Sequence, residues 1–309
     1  MLDRIDKKFI KKIEYSCIPG WSQDNHLEAF NALVNGDKSL EKFNIKTIHQ
    51  ARYFFEENYK PYQIKNKLDS NNIFTGYFEP SLCASIKESK IYKYPLYGTP
   101  QDKALLKISR RDFEGSTKSG IPILAWLKDR VDLYFMHIQG SGILNFTEGF
   151  SKRFVFESKN NFKYSSLGKR LINLGYIQES NISMATIKDW LRFDDKNYET
   201  VYINESFIFF KEDKLDLDNK YPIGQLGIRL TPFRSLAVDQ SIYDINIPIW
   251  LKTQIPITGN KTKNFERLMI GQDKGSAIKG LSRGDIFFGN DEIAGNMNYT
   301  GNIIILVRN

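Results

Sequence analysis

Cysteine and histidine are scarce in this chain. Two cysteines, Cys17 and Cys83, and three histidines, His26, His49 and His137, are spread over 309 residues. Neither cysteine belongs to a CxxC pair and the histidines keep no ligand spacing, so no metal site is expected. Whether the two thiols pair is left open, because sequence does not report their separation. Long apolar runs are missing too, and nothing is long enough to span a bilayer. The first residues, Met1 to Lys8, lack the apolar stretch of a signal peptide. On that reading the chain either stays in the cytoplasm or represents the exported part of a longer product. Lys and Arg outnumber Asp and Glu by 44 to 36, a net charge of +8. That balance favours an acidic partner in general: nucleic acid, anionic lipid or an acidic cell-wall polymer. The basic residues are scattered, with no recognition helix and no basic block interleaved with aromatics, so no nucleic-acid partner is expected.

What the chain has in quantity is aromatic side chains, 22 Phe and 16 Tyr. They suit the pleated faces of β-structure and the flat apolar faces of sugars, and most of them are expected to be core. The first sixty residues read as helical. Asp24 is placed to cap a segment with Leu27, Phe30 and Leu33 at helical spacing, and Ile45 to Tyr59 repeats the pattern. Strand texture follows at Asn72 to Pro80 and Tyr92 to Tyr97. Ile121 to Gly142 reads as a hairpin, Ile121–Leu127 and Val131–Ile138, turning at Lys128-Asp129-Arg130. Helices are expected at Ser165–Leu174 and Ser183–Phe193, then strands from Ser206 to the final run Asn302–Val307. The texture predicts a mainly β protein with a few helices. A middle portion, 101–200, is expected as an inserted second domain between 1–100 and 201–309.

The densest signal is Gln272 to Gly289, QDKGSAIKGLSRGDIFFG, with four glycines and the acids Asp273 and Asp285. Its spacing fits neither GxGxxG nor GxxxxGK[ST], so it is not a phosphate loop. Asp285 stands between Gly284 and the apolar run Ile286-Phe287-Phe288. An acid at the mouth of such a strand is partly desolvated, which raises its pKa and suits a general acid. Two turn aspartates in a glycine-rich loop would be the plainer interpretation. Asp273 is expected to hold Lys279 or to hydrogen-bond the turn. Other segments carry small and polar residues beside aromatics: Thr75-Gly76-Tyr77-Phe78-Glu79-Pro80, His137-Ile138-Gln139-Gly140-Ser141-Gly142, and Leu230 to Asp239 with Arg234. Taken singly, Glu79 reads as a surface acid, GSG as a turn and Arg234 as a structural ion-pair partner.

Together these motifs resemble the membrane-bound lytic murein transglycosylase A family: TGYFEP, YPLYGTP (Tyr94–Pro100), HIQGSG, NESFIFF (Asn204–Phe210), LTPFRSLAVD, QDKGSAIKGLSRGDIFFG and IAGNM (Ile293–Met297), in that order. The resemblance implies a double-psi β-barrel domain built from both chain ends, a second β-rich domain inserted between them, and a glycan groove between the two. It implies non-hydrolytic cleavage of the β-1,4 bond between N-acetylmuramic acid and N-acetylglucosamine in peptidoglycan, leaving 1,6-anhydro ends. Asp285 takes the position of the catalytic acid/base, Asp239 and Asp273 those of supporting aspartates, and Thr75 that of a sugar contact. Tyr77, Gln139, Ser141 and Lys279 are further expected substrate contacts. The substrate supplies its own nucleophile, so no metal and no organic cofactor are expected. Expected partners are glycan strands and cell-wall synthesis or division proteins, with a monomeric chain. The expected location is the periplasm at the outer membrane, although the family's lipoprotein signal does not occur in this stretch. Two departures stand out: Gly275-Ser276 where the family has two glycines, and Phe78 where it often has Tyr. Hydrolysis on the same groove, or glycan binding without turnover, are the alternatives.

Overall fold

The computed structural model describes residues 1–65, 72–115, 119–214, 221–259 and 261–309. The protein is mainly β with some helices, and it divides into two compact units, 1–78 with 223–309, and 79–222. The second unit is wider than the 101–200 expected from texture, because the strands flanking that interval pair within its sheet.

In chain order the first unit begins with β1 (Ile10–Lys12), α1 (His26–Gly36), α2 (Ile48–Asn58), β2 (Tyr59–Ile64) and β3 (Ile73–Tyr77). The second unit contributes β4 (Ser81–Ser85), β5 (Tyr94–Tyr97), α3 (Arg110–Gly115), β6 (Ile123–Leu127), α4 (Arg130–Gln139), β7 (Ser141–Phe146), β8 (Ser151–Lys159), α5 (Leu167–Asn173), α6 (Met184–Phe193) and β9 (Ile208–Glu212). The chain then returns to the first unit with β10 (Ser235–Ala237), β11 (Ile247–Ile257), β12 (Lys261–Asp273), β13 (Gly284–Phe287), β14 (Asn298–Thr300) and β15 (Asn302–Arg308).

Among the described residues the first unit holds a nine-stranded sheet in the order β1-β2-β15-β11-β12-β10-β13-β3-β14. Most pairs are antiparallel, but β10 runs parallel to β12 and β13 parallel to β3. The long β11–β12 hairpin, registered from Ile247↔Gly271 to Ile257↔Lys261, forms its spine. α1 and α2 cover one face. Phe30, Leu33, Phe54 and Phe55 from the helices pack with Trp21, Trp250, Leu268 and Ile304. Both helices start on local caps: Asn25 accepts from Glu28 N, and Thr47 and Gln50 form a reciprocal capping box. Asp24, expected as the cap, is used otherwise. It takes Arg234 by two hydrogen bonds of 2.8 Å and also accepts Leu268 N.

The second unit holds a six-stranded sheet, β5-β6-β4-β7-β8-β9. The hairpin expected over 121–142 is only half present, since Val131–Ile138 is part of helix α4. The Asp129 carboxylate accepts the N–H groups of Val131 and Asp132 at the helix start, and Gly140 ends it at φ 82°. Glu79, expected at the surface, is fully buried and ion-paired with the equally buried Arg153, with Nε–carboxylate distances of 2.9 and 3.1 Å. A buried carboxylate needs such a partner to offset its desolvation. Both cysteines are free and exposed. No helix among the described residues is long and apolar enough to cross a membrane.

Candidate active site

The Gly-rich segment singled out in the sequence becomes the end of β12, a loop, and β13. β13 lies between β10 and β3, and its register sets the site. Asp285 is paired with Ala237 on one side and Thr75 on the other. Ala237 is paired in turn with Asp273, at a register shift after Leu236, and Thr75 with Asn298. One row across the sheet therefore reads Asp273, Ala237, Asp285, Thr75, Asn298. The buried Ala237 stands between the two acids in that row.

Asp285 is half-buried. Its Oδ1 accepts the hydroxyl of Thr75 at 2.7 Å. Burial raises its pKa above the ordinary carboxylate range, partly offset by the charge of Arg283 and by the Thr75 bond. This is the condition in which a carboxylic acid keeps its proton toward neutral pH.

Asp273 differs in kind. Its Oδ2 accepts the hydroxyl of Tyr77 at 2.9 Å, and its Oδ1 accepts the N–H groups of Gln225 (2.8 Å) and Lys274 (2.9 Å). Burial pushes its pKa up to about 6 against these three bonds, and the neighbouring Asp285 charge adds to the rise. Gly224 makes room for it: a Cβ there would stand 2.8 Å from the Asp273 carboxyl carbon. Tyr77 is buried, its ring tilted on Phe287 and its hydroxyl occupied by Asp273.

Asp239 follows β10 and fastens the Gly-rich loop. Oδ2 accepts Gly280 N at 3.0 Å, while Oδ1 accepts Ser241 N, Ser241 Oγ and Lys279 Nζ. Burial acts to raise its pKa, but the bonds from Gly280, Ser241 and Lys279 outweigh it and the net shift is downward. Lys279 is thus held by Asp239 rather than Asp273, with two thirds of its side chain exposed.

The sheet brings Thr75, Tyr77, Asp273 and Asp285 together, and the loop ties Lys279 to Asp239. Gln139 and Ser141 belong to the second unit, at the end of α4 and the start of β7, with Ser141 buried. In the same motif His137 is buried beside Arg110 and against Phe207. Burial, then the Arg110 charge, hold its pKa well below the ordinary histidine range. Sequence reasoning passed over Arg283, which stands two residues before Asp285 and immediately precedes β13. Its Nη2 donates to Thr75 Oγ1 at 2.8 Å. The backbone N–H of Gln225 carried no sequence signal at all.

Two family models match the chain, the MltA specific insert domain over residues 73–211 and the 3D domain over residues 234–307. The chain is similar to the membrane-bound lytic murein transglycosylase A of Vibrio cholerae serotype O1, 31% identical over 215 residues, which are 68% of this chain and 57% of that protein. It is also similar to the membrane-bound lytic murein transglycosylase A homolog of Buchnera aphidicola subsp. Schizaphis graminum, 33% identical over 251 residues, 77% of this chain and 66% of that protein. Its matched part thus spans 57% and 66% of the length of these two curated relatives. Among solved structures, the membrane-bound lytic murein transglycosylase from Agrobacterium tumefaciens superposes with a TM-score of 0.84 at 27% identity, covering 97% of this chain and 98% of that one.

Proposed function

This chain belongs to the membrane-bound lytic murein transglycosylase A family, and from that premise we propose that it cleaves peptidoglycan non-hydrolytically with Asp285 as its one acid/base. The observation that carries the assignment is the placement of Asp285: a half-buried carboxyl on β13, between β10 and β3, with the Thr75 hydroxyl fixed on Oδ1.

The proposed reaction has two proton transfers through one group. In its acid form Asp285 gives its proton to the glycosidic oxygen between N-acetylmuramic acid and N-acetylglucosamine as the bond to C1 breaks. The sugar's own N-acetyl oxygen relieves the charge at C1. Asp285, now a carboxylate, takes the proton of the C6 hydroxyl, whose oxygen closes on C1 and displaces the acetamido oxygen. The acid is regenerated and water is not consumed, so the site has to hold the C6 hydroxyl in place and keep water from C1. A raised pKa serves both halves of this cycle.

In this reading Asp273 orders and tunes the site. Its carboxylate accepts the Tyr77 hydroxyl and the N–H groups of Gln225 and Lys274, which fix its orientation. Asp239 keeps the Gly-rich loop closed on β10. Thr75 positions Asp285 and meets the sugar, and the exposed Lys279 is a contact for the acidic glycan. Tyr77 acts through Asp273, while Gln139 and Ser141 stand as further glycan contacts. We also propose that the nine-stranded sheet curls as a double-psi β-barrel, carrying the catalytic groups, with the second unit as its insert. The two parallel pairs within an otherwise antiparallel sheet support this, as does Thr253 Oγ1 on β11 donating to Thr300 O on β14 at 2.8 Å. A periplasmic setting is part of this proposal, and the membrane-bound naming of its relatives supports a membrane association.

Asp285→Asn tests the assignment. Release of soluble muropeptides is expected to fall by about 10²–10⁴-fold, with circular dichroism and sedimentation with insoluble peptidoglycan unchanged. Turnover near the wild-type rate in that variant would remove Asp285 from the chemistry.

A further inference from the structure

Arg283 immediately precedes β13, and Asp285 is the second residue of that strand. Thr75 is the register partner of Asp285 on β3. Arg283 Nη2 donates to Thr75 Oγ1 at 2.8 Å, and Thr75 Oγ1 donates to Asp285 Oδ1 at 2.7 Å. The direction of this chain follows from what each group can do. A guanidinium only donates, so Thr75 must accept from it. A hydroxyl has one proton and two lone pairs. With a cation on one lone pair, its proton becomes a stronger donor and the other lone pair a poorer acceptor. The Thr75 proton is thereby directed to Oδ1, and Oδ1 is committed as an acceptor whether Asp285 is charged or neutral.

We infer that Arg283 is a positioning residue that acts through Thr75 to place the acid proton of Asp285 on Oδ2; the inference rests on the transglycosylase reading above. Arg283 is itself braced, since Nη1 donates to Ile73 O at 3.1 Å and also to Gly284 O. The guanidinium thus ties the starts of β3 and β13 to the orientation of the carboxyl. Among the described residues the charged and titratable groups around Asp285 are Arg283 just before its strand, Asp273 on β12 and Tyr77 on β3, while β10 pairs with it through Ala237. Among the described residues Arg283 is the one cation in that set.

The test combines Arg283→Gln, which keeps an N–H donor without the charge, with Thr75→Val, singly and together. Two quantities are read: the pH profile of anhydro-muropeptide release, and the titration of the Asp285 side-chain carboxyl in the free protein by carbon NMR. Each single variant is expected to lower the plateau rate by about 10–100-fold, the scale of a misplaced reacting group. Each should also move the basic limb, and the carboxyl titration, to higher pH, because each removes a group that favours the carboxylate. The double variant should have a plateau no lower than the worse single one, since both act through one hydroxyl. Arg283→Lys keeps the charge but not the fork, so the plateau falls while the limb holds; it also replaces Arg283→Gln in the cycle if that variant does not fold. A carboxyl titration unmoved in Thr75→Val or Arg283→Gln, or losses that multiply in the double variant, would overturn the inference. A wild-type protein that releases no anhydro product would instead fail the transglycosylase reading, and the carboxyl titration would still decide the link among the three residues.

Discussion

Tyr77 donates its hydroxyl to Oδ2 of Asp273 at 2.9 Å, and two residues earlier on the same strand Thr75 donates to Oδ1 of Asp285 at 2.7 Å. One strand face thus serves two carboxylates, and the alternation of β3 supplies the spacing. The two acids are not equivalent. Asp273 has both oxygens occupied by protein donors, while the bond from Thr75 engages Oδ1 of Asp285.

Tyr77→Phe keeps the buried ring and removes one donor from a buried acid. A loss of about 1–3 kcal/mol is expected at pH 8, the cost of leaving a buried acceptor short of a partner. The bond favours the charged form of Asp273, so the loss should shrink as pH falls through about 6. Urea titrations at pH 8 and pH 5 check this; equal losses at both would contradict it.

Asp273→Asn addresses the pH dependence of stability. The folded pKa of Asp273 lies at about 6 against an ordinary 3.8. A raised pKa means that the folded state binds the proton more tightly than the unfolded state. Its stabilising contribution is complete below about 3.8 and is lost as pH rises through about 6. Asp285 acts in the same direction. Relative to the Asn variant, the wild-type melting temperature should therefore fall between pH 4 and pH 7, on the scale of about one or two pKa units of linkage. Parallel melting curves across that range would count against the buried, raised Asp273.

Arg234 and Asp24 form a buried pair joining the helical entry to β10, with further bonds from Arg234 to Leu268 O and Glu28. Asp24→Ala leaves the guanidinium without its main buried partner and should destabilise the first unit by about 3–5 kcal/mol in chemical denaturation. A cost below about 1 kcal/mol, the range of an exposed pair, would mean that the pair is solvated.

Gly76 lies between Thr75 and Tyr77, where a Cβ would stand 2.8 Å from the Phe288 ring and 3.0 Å from Ala294 O and Met297 Cβ. Gly76→Ala should cost about 1–3 kcal/mol through overpacking, and activity should fall with it because both neighbours carry site hydroxyls. Thermal denaturation beside a muropeptide-release assay checks both effects.

Much of this architecture was legible. The helical spacing at Phe30, Leu33, Phe54 and Phe55 marks α1 and α2, and the glycines around Asp285 mark its strand entry. The α4 helix was not, because nearly its whole circumference is buried: Val131, Leu133, Tyr134, Phe135, Met136 and His137. An all-round apolar segment loses the stripe by which periodicity separates helix from strand. Only Asp129 and Gly140, a cap at each end, carried the signal. The misplaced cap at Asp24 has another cause, a partner 210 residues away. Glu79 failed likewise, since the Arg153 that permits its burial is 74 residues distant. The register that aligns Asp273, Ala237, Asp285 and Thr75 is a tertiary fact that no local pattern encodes.

The most direct test is digestion of purified peptidoglycan by the intact protein, with mass spectrometry of the soluble products. Muropeptides ending in 1,6-anhydromuramic acid, one water lighter than their reducing counterparts, are the predicted result, and their release should fall by about 10²–10⁴-fold with Asp285→Asn. Reducing muramic ends would contradict it, because they require water as the nucleophile and a second carboxylate to activate it.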